Sequence, residues 1–375
     1  MKISIYIHIP FCQRKCLYCD FLSFSATKEN YKTYVNALIK ELIYKSADYF
    51  EYEVKSIFFG GGTPSILEGK DICRIMETVR THYNVSDDCE STIEINPGTI
   101  TEEDGKLDAY LSCGINRLSI GLQSANNSEL ASLGRIHTVE DFEKLWTMVH
   151  EKGFANCNVD IMSAIHTQTI ESYAKTLNYL CTLSYKPTHI SSYSLIVEEN
   201  TPYATMNLEL PDEETEREMY CLTKNVLSQY GYNRYEISNY ALEGYECYHN
   251  EVYWQRGNYV GFGLGASSMV ENVRWKNTSY LQKYTDGEFG RYECEVLPVE
   301  SQMEEYMFLG LRMSRGITIT EFEKEFGRKF PKEYREVVSR YESLGLMEVY
   351  NNDRIMLTDE GVNVSNTIFA DFLFD

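Results

Sequence analysis

At 375 residues the chain has room for two or three domains, or for one large barrel with an appendage, and its 43% hydrophobic content can supply a sizeable core. A net charge of −21 argues against tracking nucleic acid, which calls for a basic face, and against anionic lipid headgroups. No run of about 18 apolar residues is present, so no transmembrane helix is expected. At the N-terminus Ile3, Ile5, Ile7 and Ile9 alternate with Ser4, Tyr6 and His8. This period of two reads as a strand, not a signal peptide, and the protein is expected to be cytoplasmic.

Further strands are expected at Val54–Phe59, Thr92–Asn96, Arg117–Gln123, Asn156–Met162 and His189–Ile196, with helix-length amphipathic stretches between them. Thr101 with Asp104, and Thr138 with Asp141, have capping-box spacing. Six such repeats predict a parallel βα architecture, without separating a barrel from an open sheet. The strand faces add to this. Glu94 and Asn96 oppose Ile93 and Ile95; Ser119 and Gln123 oppose Leu118, Ile120 and Leu122; Asn158 and Asp160 oppose Val159 and Ile161. The apolar faces belong under helices, and the polar faces then converge on a shared interior. Buried polar groups left unpaired cost about 1–3 kcal/mol each, so a polar lumen implies a ligand.

Cys12, Cys16 and Cys19 follow the first strand with CxxxCxxC spacing. A 4Fe–4S cluster normally takes four thiolates. Three leave one iron open, as catalytic metal sites require, and an amino acid's amine and carboxylate can chelate it. Arg14 and Lys15 favour the thiolates. The alternative is zinc held by these cysteines with His8 or Asp20. Gly60-Gly61-Gly62-Thr63-Pro64 lets backbone approach a ligand closely. The later Gly261–Ala266 segment has no acidic partner for nucleotide binding and reads as tight packing.

A charged helix is expected over Asp212–Tyr230, followed by short strands and loops to about residue 295. Beyond Val299, short helices precede a hairpin, Met347–Tyr350 and Arg354–Leu357, in a winged-helix-like arrangement.

With these features together, the chain resembles the radical S-adenosylmethionine proteins, in the group containing oxygen-independent coproporphyrinogen III oxidase and the HemW-type haem chaperones. The resemblance covers nearly the whole chain. It implies an α/β fold: a partial (β/α)6 TIM-like barrel over residues 1–200, an extension over 201–298 and a winged-helix-like α+β domain over 299–375. It also implies a 4Fe–4S cluster on Cys12, Cys16 and Cys19. Tyr6, Gly61, Gly62, Thr63, Glu94, Gln123, Arg135 and Asp160 match positions lining the S-adenosylmethionine pocket.

Within the group, Phe21 stands where the oxidase has a fourth cysteine, and the cluster motif begins at residue 12, without the oxidase's long N-terminal extension. His249-Asn250-Glu251-Val252-Tyr253-Trp254 resembles the HNxxYW signature of the chaperones. These features imply a haem chaperone that binds haem as cargo, with His249 as an axial ligand, and passes it to an acceptor protein. The other reading of His249 is a structural histidine whose hydrogen bonds order its loop. The alternative function is the oxidase reaction, radical decarboxylation of propionate side chains. A reductant such as flavodoxin or ferredoxin would be needed if S-adenosylmethionine is cleaved. Two turns depart from the family pattern: Ser163-Ala164-Ile165-His166 for Gly-Leu-Pro, and Gly265-Ala266-Ser267-Ser268 for Gly-Ala-His-Ser.

Overall fold

Alternation of apolar and polar residues builds the first six strands of a computed structural model that describes residues 1–374. They are β1 (Lys2–Ile9), β2 (Glu53–Gly61), β3 (Asn84–Ile95), β4 (Arg117–Gln123), β5 (Cys157–Ser163) and β6 (His189–Ser194), paired parallel in chain order. The helices between them are α1 (Lys28–Lys45), α2 (Gly69–His82), α3 (Lys106–Ser112), α4 (Asn127–Ser132), α5 (Val139–Glu151) and α6 (Ile170–Thr182). Ile5, Ile7, Ile57, Phe59, Ile93, Leu118, Ile120, Val159 and Ile161 are sealed in one core with apolar residues of these helices. The opposite faces point into the interior.

Thr138 caps α5 with the expected reciprocal hydrogen bonds. Thr101 does not cap a helix. Asp104 accepts from the Thr101 and Lys106 amides, and α3 starts after Gly105, which takes a left-handed conformation at φ 64°. The capping-box spacing there builds a turn.

β1 and β6 do not pair with each other, so the barrel is open. The next segment supplies α7 (Glu213–Gln229) and α8 (Tyr248–Trp254), and its strands extend both edges. β7 (Asn233–Arg234) and β8 (Asn239–Ala241) continue antiparallel beyond β6. β9 (Tyr259–Phe262) lies parallel beside β1, followed by β10 (Ser267–Val270), β11 (Val273–Lys276) and β12 (Tyr292–Val296). Gly261 lies within β9, where a Cβ would stand 2.4 Å from the Ser267 carbonyl oxygen, so its glycine serves close packing.

The C-terminal region has its own core, including Met303, Met307, Phe322, Phe330, Tyr334 and Val338. β14 (Met347–Tyr350) and β15 (Arg354–Leu357) form a hairpin that turns through Asn351 and Asn352, both at positive φ, as tight hairpin turns require. β13 (Ile317–Thr318) completes a three-stranded wing beside helices Val299–Gly310, Ile319–Phe326 and Lys332–Ser343.

Candidate functional site

The cysteine loop leaves β1 at Pro10 and is anchored by Phe11. That ring is fully buried and packs against the rings of Phe24, Tyr31 and Tyr34 at centroid distances of 4.7–5.6 Å. Backbone hydrogen bonds then hold the loop. The Cys12 amide donates to the Phe24 carbonyl (3.1 Å), the Leu17 amide to Leu133 (3.1 Å) and the Cys19 amide to Cys16 (3.3 Å). The Arg14 guanidinium donates to the Gly134 carbonyl at 2.7 Å.

The glycine turn seats against this loop. The Gly62 and Thr63 amides donate to the Ile9 and Phe11 carbonyls, both at 2.8 Å. A Cβ on Gly62 would lie 2.7 Å from the Phe11 carbonyl oxygen and 2.9 Å from Cys12 Sγ, so only glycine fits. Thr63 Oγ1 is 3.6 Å from the same sulfur.

One cavity is lined by Cys12, Cys16, Cys19, Gly61, Gly62, Thr63, Glu94, Gln123, Arg135 and Asp160. Arg135 spans it, with Nη2 donating to the Gly121 carbonyl (2.9 Å) and Nη1 lying 3.6 Å from Cys16 Sγ. Gly121 also lines this cavity. A Cβ there would meet Gln123 Nε2 at 2.9 Å and Arg135 Nη2 at 3.1 Å. Its sequence signal is a glycine inside a strand. Gln123 itself sits at φ 71°, where β4 slips register against β5.

Glu94 Oε2 accepts from the Gly61 amide at 3.2 Å. Asp160 accepts from Asn158 Nδ2 at 2.7 Å and Ser119 Oγ at 3.4 Å. Burial pushes the Glu94 carboxyl up to about 8, with the charge of Asp160 adding to it, and burial raises Asp160 as well.

Glu94 is therefore protonated over a range where it ionises in the unfolded chain. The stability this supplies is complete below about pH 4.5 and is lost as pH rises to about 8. In ligand-free protein, Glu94→Gln is expected to remove this component. The difference between variant and wild-type urea midpoints should change across pH 4.5–8, by the equivalent of up to roughly 5 kcal/mol. A pH-independent difference would refute the assignment.

Two expected residues remain. The Tyr6 ring is stacked on Phe58 with its hydroxyl 3.1 Å from His8 Nδ1, and it adjoins Gly60 beside Glu94. His249 is deeper, 2% exposed on α8, which plugs the opposite end of the barrel. The His249 Nδ1 is 2.8 Å from Ser56 Oγ on β2, and Nε2 is 2.9 Å from the Tyr253 hydroxyl. Glu90 holds the start of α8, accepting from the Tyr248 and His249 amides at 3.1 and 3.0 Å. Both ring nitrogens are engaged in these contacts, so an axial-ligand role would require them to be released. The structural reading of this histidine matches its surroundings.

The sequence reading also missed the polar floor around Arg117, which is 2% exposed and faces Cys247, Glu90 and Tyr235. Above it, His189 bridges Asn158 Oδ1 (2.6 Å) and the Tyr235 hydroxyl (2.8 Å). A charged residue opening β4 was the available signal.

The donor set fits a 4Fe–4S cluster with S-adenosylmethionine. Three thiols of one loop face a cavity that also holds a guanidinium, a glycine turn and two buried carboxyl groups able to accept from hydroxyl or ammonium groups. Zinc fits less well. His8 has both ring nitrogens engaged, by Tyr6 and by the Leu22 carbonyl (2.9 Å), and Asp20 is exposed. Among the described residues, no three His, Cys, Asp or Glu side chains are placed to hold a single metal ion.

Known proteins share these features. Residues 6–180 match the Radical SAM superfamily and residues 297–364 the HemN C-terminal domain. The heme chaperone HemW of Lactococcus lactis is 35% identical over 380 residues, covering 99% of this chain and 97% of that protein. HemW of Bacillus subtilis is 34% identical, covering 99% of each. HemW of Escherichia coli is 35% identical over 81% of each. The structure of coproporphyrinogen III oxidase (HemN) from Escherichia coli has a TM-score of 0.86, covers 99% of this chain and 90% of its own, and is 23% identical. That likeness shows a common fold.

Proposed function

Because the chain belongs to the HemW-type haem chaperones within the radical S-adenosylmethionine superfamily, we propose that it binds haem and delivers it to an acceptor protein, with a 4Fe–4S cluster and S-adenosylmethionine held in the thiol-lined cavity. Cys12, Cys16 and Cys19 would ligate the cluster. Gly61, Gly62 and Thr63 would face the amino-acid end of S-adenosylmethionine, and Glu94, Gln123, Arg135 and Asp160 the rest of it. The cluster, when bound, supplies one-electron chemistry at the cofactor. Arg135 sets a positive charge beside the Cys16 sulfur, with Nη1 at 3.6 Å. Gly61 and Glu94 fix each other's orientation through the amide–carboxyl hydrogen bond. The protein would work in the cytoplasm, where thiols stay reduced.

The observation that carries the chaperone over the oxidase is Phe21. It is 70% exposed at the cavity rim, and it puts an apolar ring where the oxidase pattern calls for a thiol. Titration with haemin is expected to give a saturable Soret band, and mixing with a haem-free acceptor should transfer it. An anaerobic assay with coproporphyrinogen III, S-adenosylmethionine and reductant is expected to give no protoporphyrinogen. Robust turnover, or the lack of any saturable haem spectrum, would reject this function.

A further inference from the structure

Four cysteines outside the cluster loop are buried, two are singly exposed, and the remaining two, Cys73 and Cys113, are half-exposed. We propose that Cys73 and Cys113 form an oxidisable thiol pair, a disulfide staple between α2 and α3.

The geometry comes from helix packing. Both helices run back along the same side of a parallel sheet, so they are parallel to each other. They touch at their first turns. A Cβ on Gly69 would stand 2.7 Å from Ala109 Cβ, an approach only glycine allows. Cys73 is one turn beyond Gly69, and Cys113 one turn beyond Ala109, so the contact that starts at Gly69 and Ala109 continues to the two cysteines. One carbonyl joins them. Ala109 O accepts from Cys73 Sγ at 3.2 Å and from the Cys113 amide at 3.0 Å. The Cys113 thiol donates to the Tyr110 carbonyl at 3.4 Å, and burial, with the neighbouring Cys73 thiol, pushes Cys113 up to about 12. Two cysteines on facing helices that share one carbonyl are close neighbours, the first requirement of a disulfide.

In this scheme Cys73 is the attacking sulfur and Cys113 the resolving one. With a low-molecular-weight disulfide as oxidant, the Cys73 thiolate displaces one thiol and forms a mixed disulfide. Cys113 then gives up its proton, attacks the Cys73 sulfur and releases the second thiol. Two protein thiols become one disulfide, and one small disulfide becomes two small thiols. The staple would tie together the helices that cover β2 and β3, the strands that deliver the glycine turn and Glu94. This inference does not depend on the cluster or on haem.

The test treats the full-length protein with oxidised glutathione, blocks remaining thiols with an alkylating reagent and maps peptides without reduction. The expected product is a cross-linked pair containing Cys73 and Cys113, reversed by dithiothreitol, with a raised urea midpoint for the oxidised form. In C113S the cross-link should vanish and Cys73 should carry glutathione instead. The exposed Cys221 and Cys294 report whether the oxidant has acted. Full alkylation of Cys73 and Cys113 once Cys221 and Cys294 are glutathionylated, or a cross-link from either to another cysteine, overturns the proposal.

Discussion

Protein in which Cys12, Cys16 and Cys19 are all replaced by serine should fold and yet emerge from anaerobic reconstitution with no bound iron or sulfide. The wild-type chain should bind roughly four irons under the same conditions. Serine keeps the size of the side chain but offers no soft thiolate to an iron–sulfur cluster. The loop does not rely on its sulfurs to hold its shape. It hangs on the Phe11 ring and on the amide hydrogen bonds of Cys12, Leu17, Cys19, Gly62 and Thr63, all of which survive the change. The variant's urea midpoint should therefore stay close to that of the iron-free wild type. Affinity for S-adenosylmethionine should fall by at least about tenfold, because the amine and carboxylate lose their iron while the contacts at Glu94 and Asp160 remain. Iron and sulfide analysis, with equilibrium dialysis of labelled S-adenosylmethionine, reads both. Iron and sulfide retained at wild-type levels would remove the foundation of the proposed function.

Much of this site was legible because strand periodicity is a local signal. Glu94, Ser119, Gln123 and Asp160 each stand on the polar face of an alternating strand, and the structure turns all four into one cavity. The hairpin at Asn351 and Asn352 was legible for the same reason, since its turn chemistry lies within a few residues. What the sequence did not show was decided at long range. Tyr6 shares the polar face of β1, and its ring partner is Phe58 on another strand. The Thr101–Asp104 spacing is a capping box by pattern, but Gly105 delays the helix. The strands that extend the barrel's edges, β7 to β12, are only two to five residues long, too short for periodicity to reveal which strand each would join. His249 is the clearest case. A motif of histidine, tyrosine and tryptophan suggests a porphyrin face, whereas the side chain's first partner is Ser56, 193 residues away.

That partnership sets the second large effect. His249→Ala is expected to destabilise the protein by about 3–5 kcal/mol. The Tyr253 hydroxyl loses its partner in the barrel interior, at about 1–3 kcal/mol for a group left unpaired, while Ser56 keeps its hydrogen bond to Ser4, and the missing ring leaves a cavity beside Phe58, on which it stacks at 5.0 Å. The pH dependence should change with it. Burial, helped by the nearby Arg117 charge, holds the imidazole down to about 3 in the folded protein, against about 6.5 when unfolded. Its contribution is full above pH 6.5 and is lost as pH falls towards 3, so the variant should show a shallower acid limb. Urea midpoints measured from pH 4 to 8 test both statements. A haemin titration of the variant, under conditions where it is folded, separates the two roles this residue was given. A plug histidine leaves the saturable Soret band in place. A folded variant that has lost that band, with wild-type stability, would return His249 to the haem and require α8 to withdraw from the barrel to bind it.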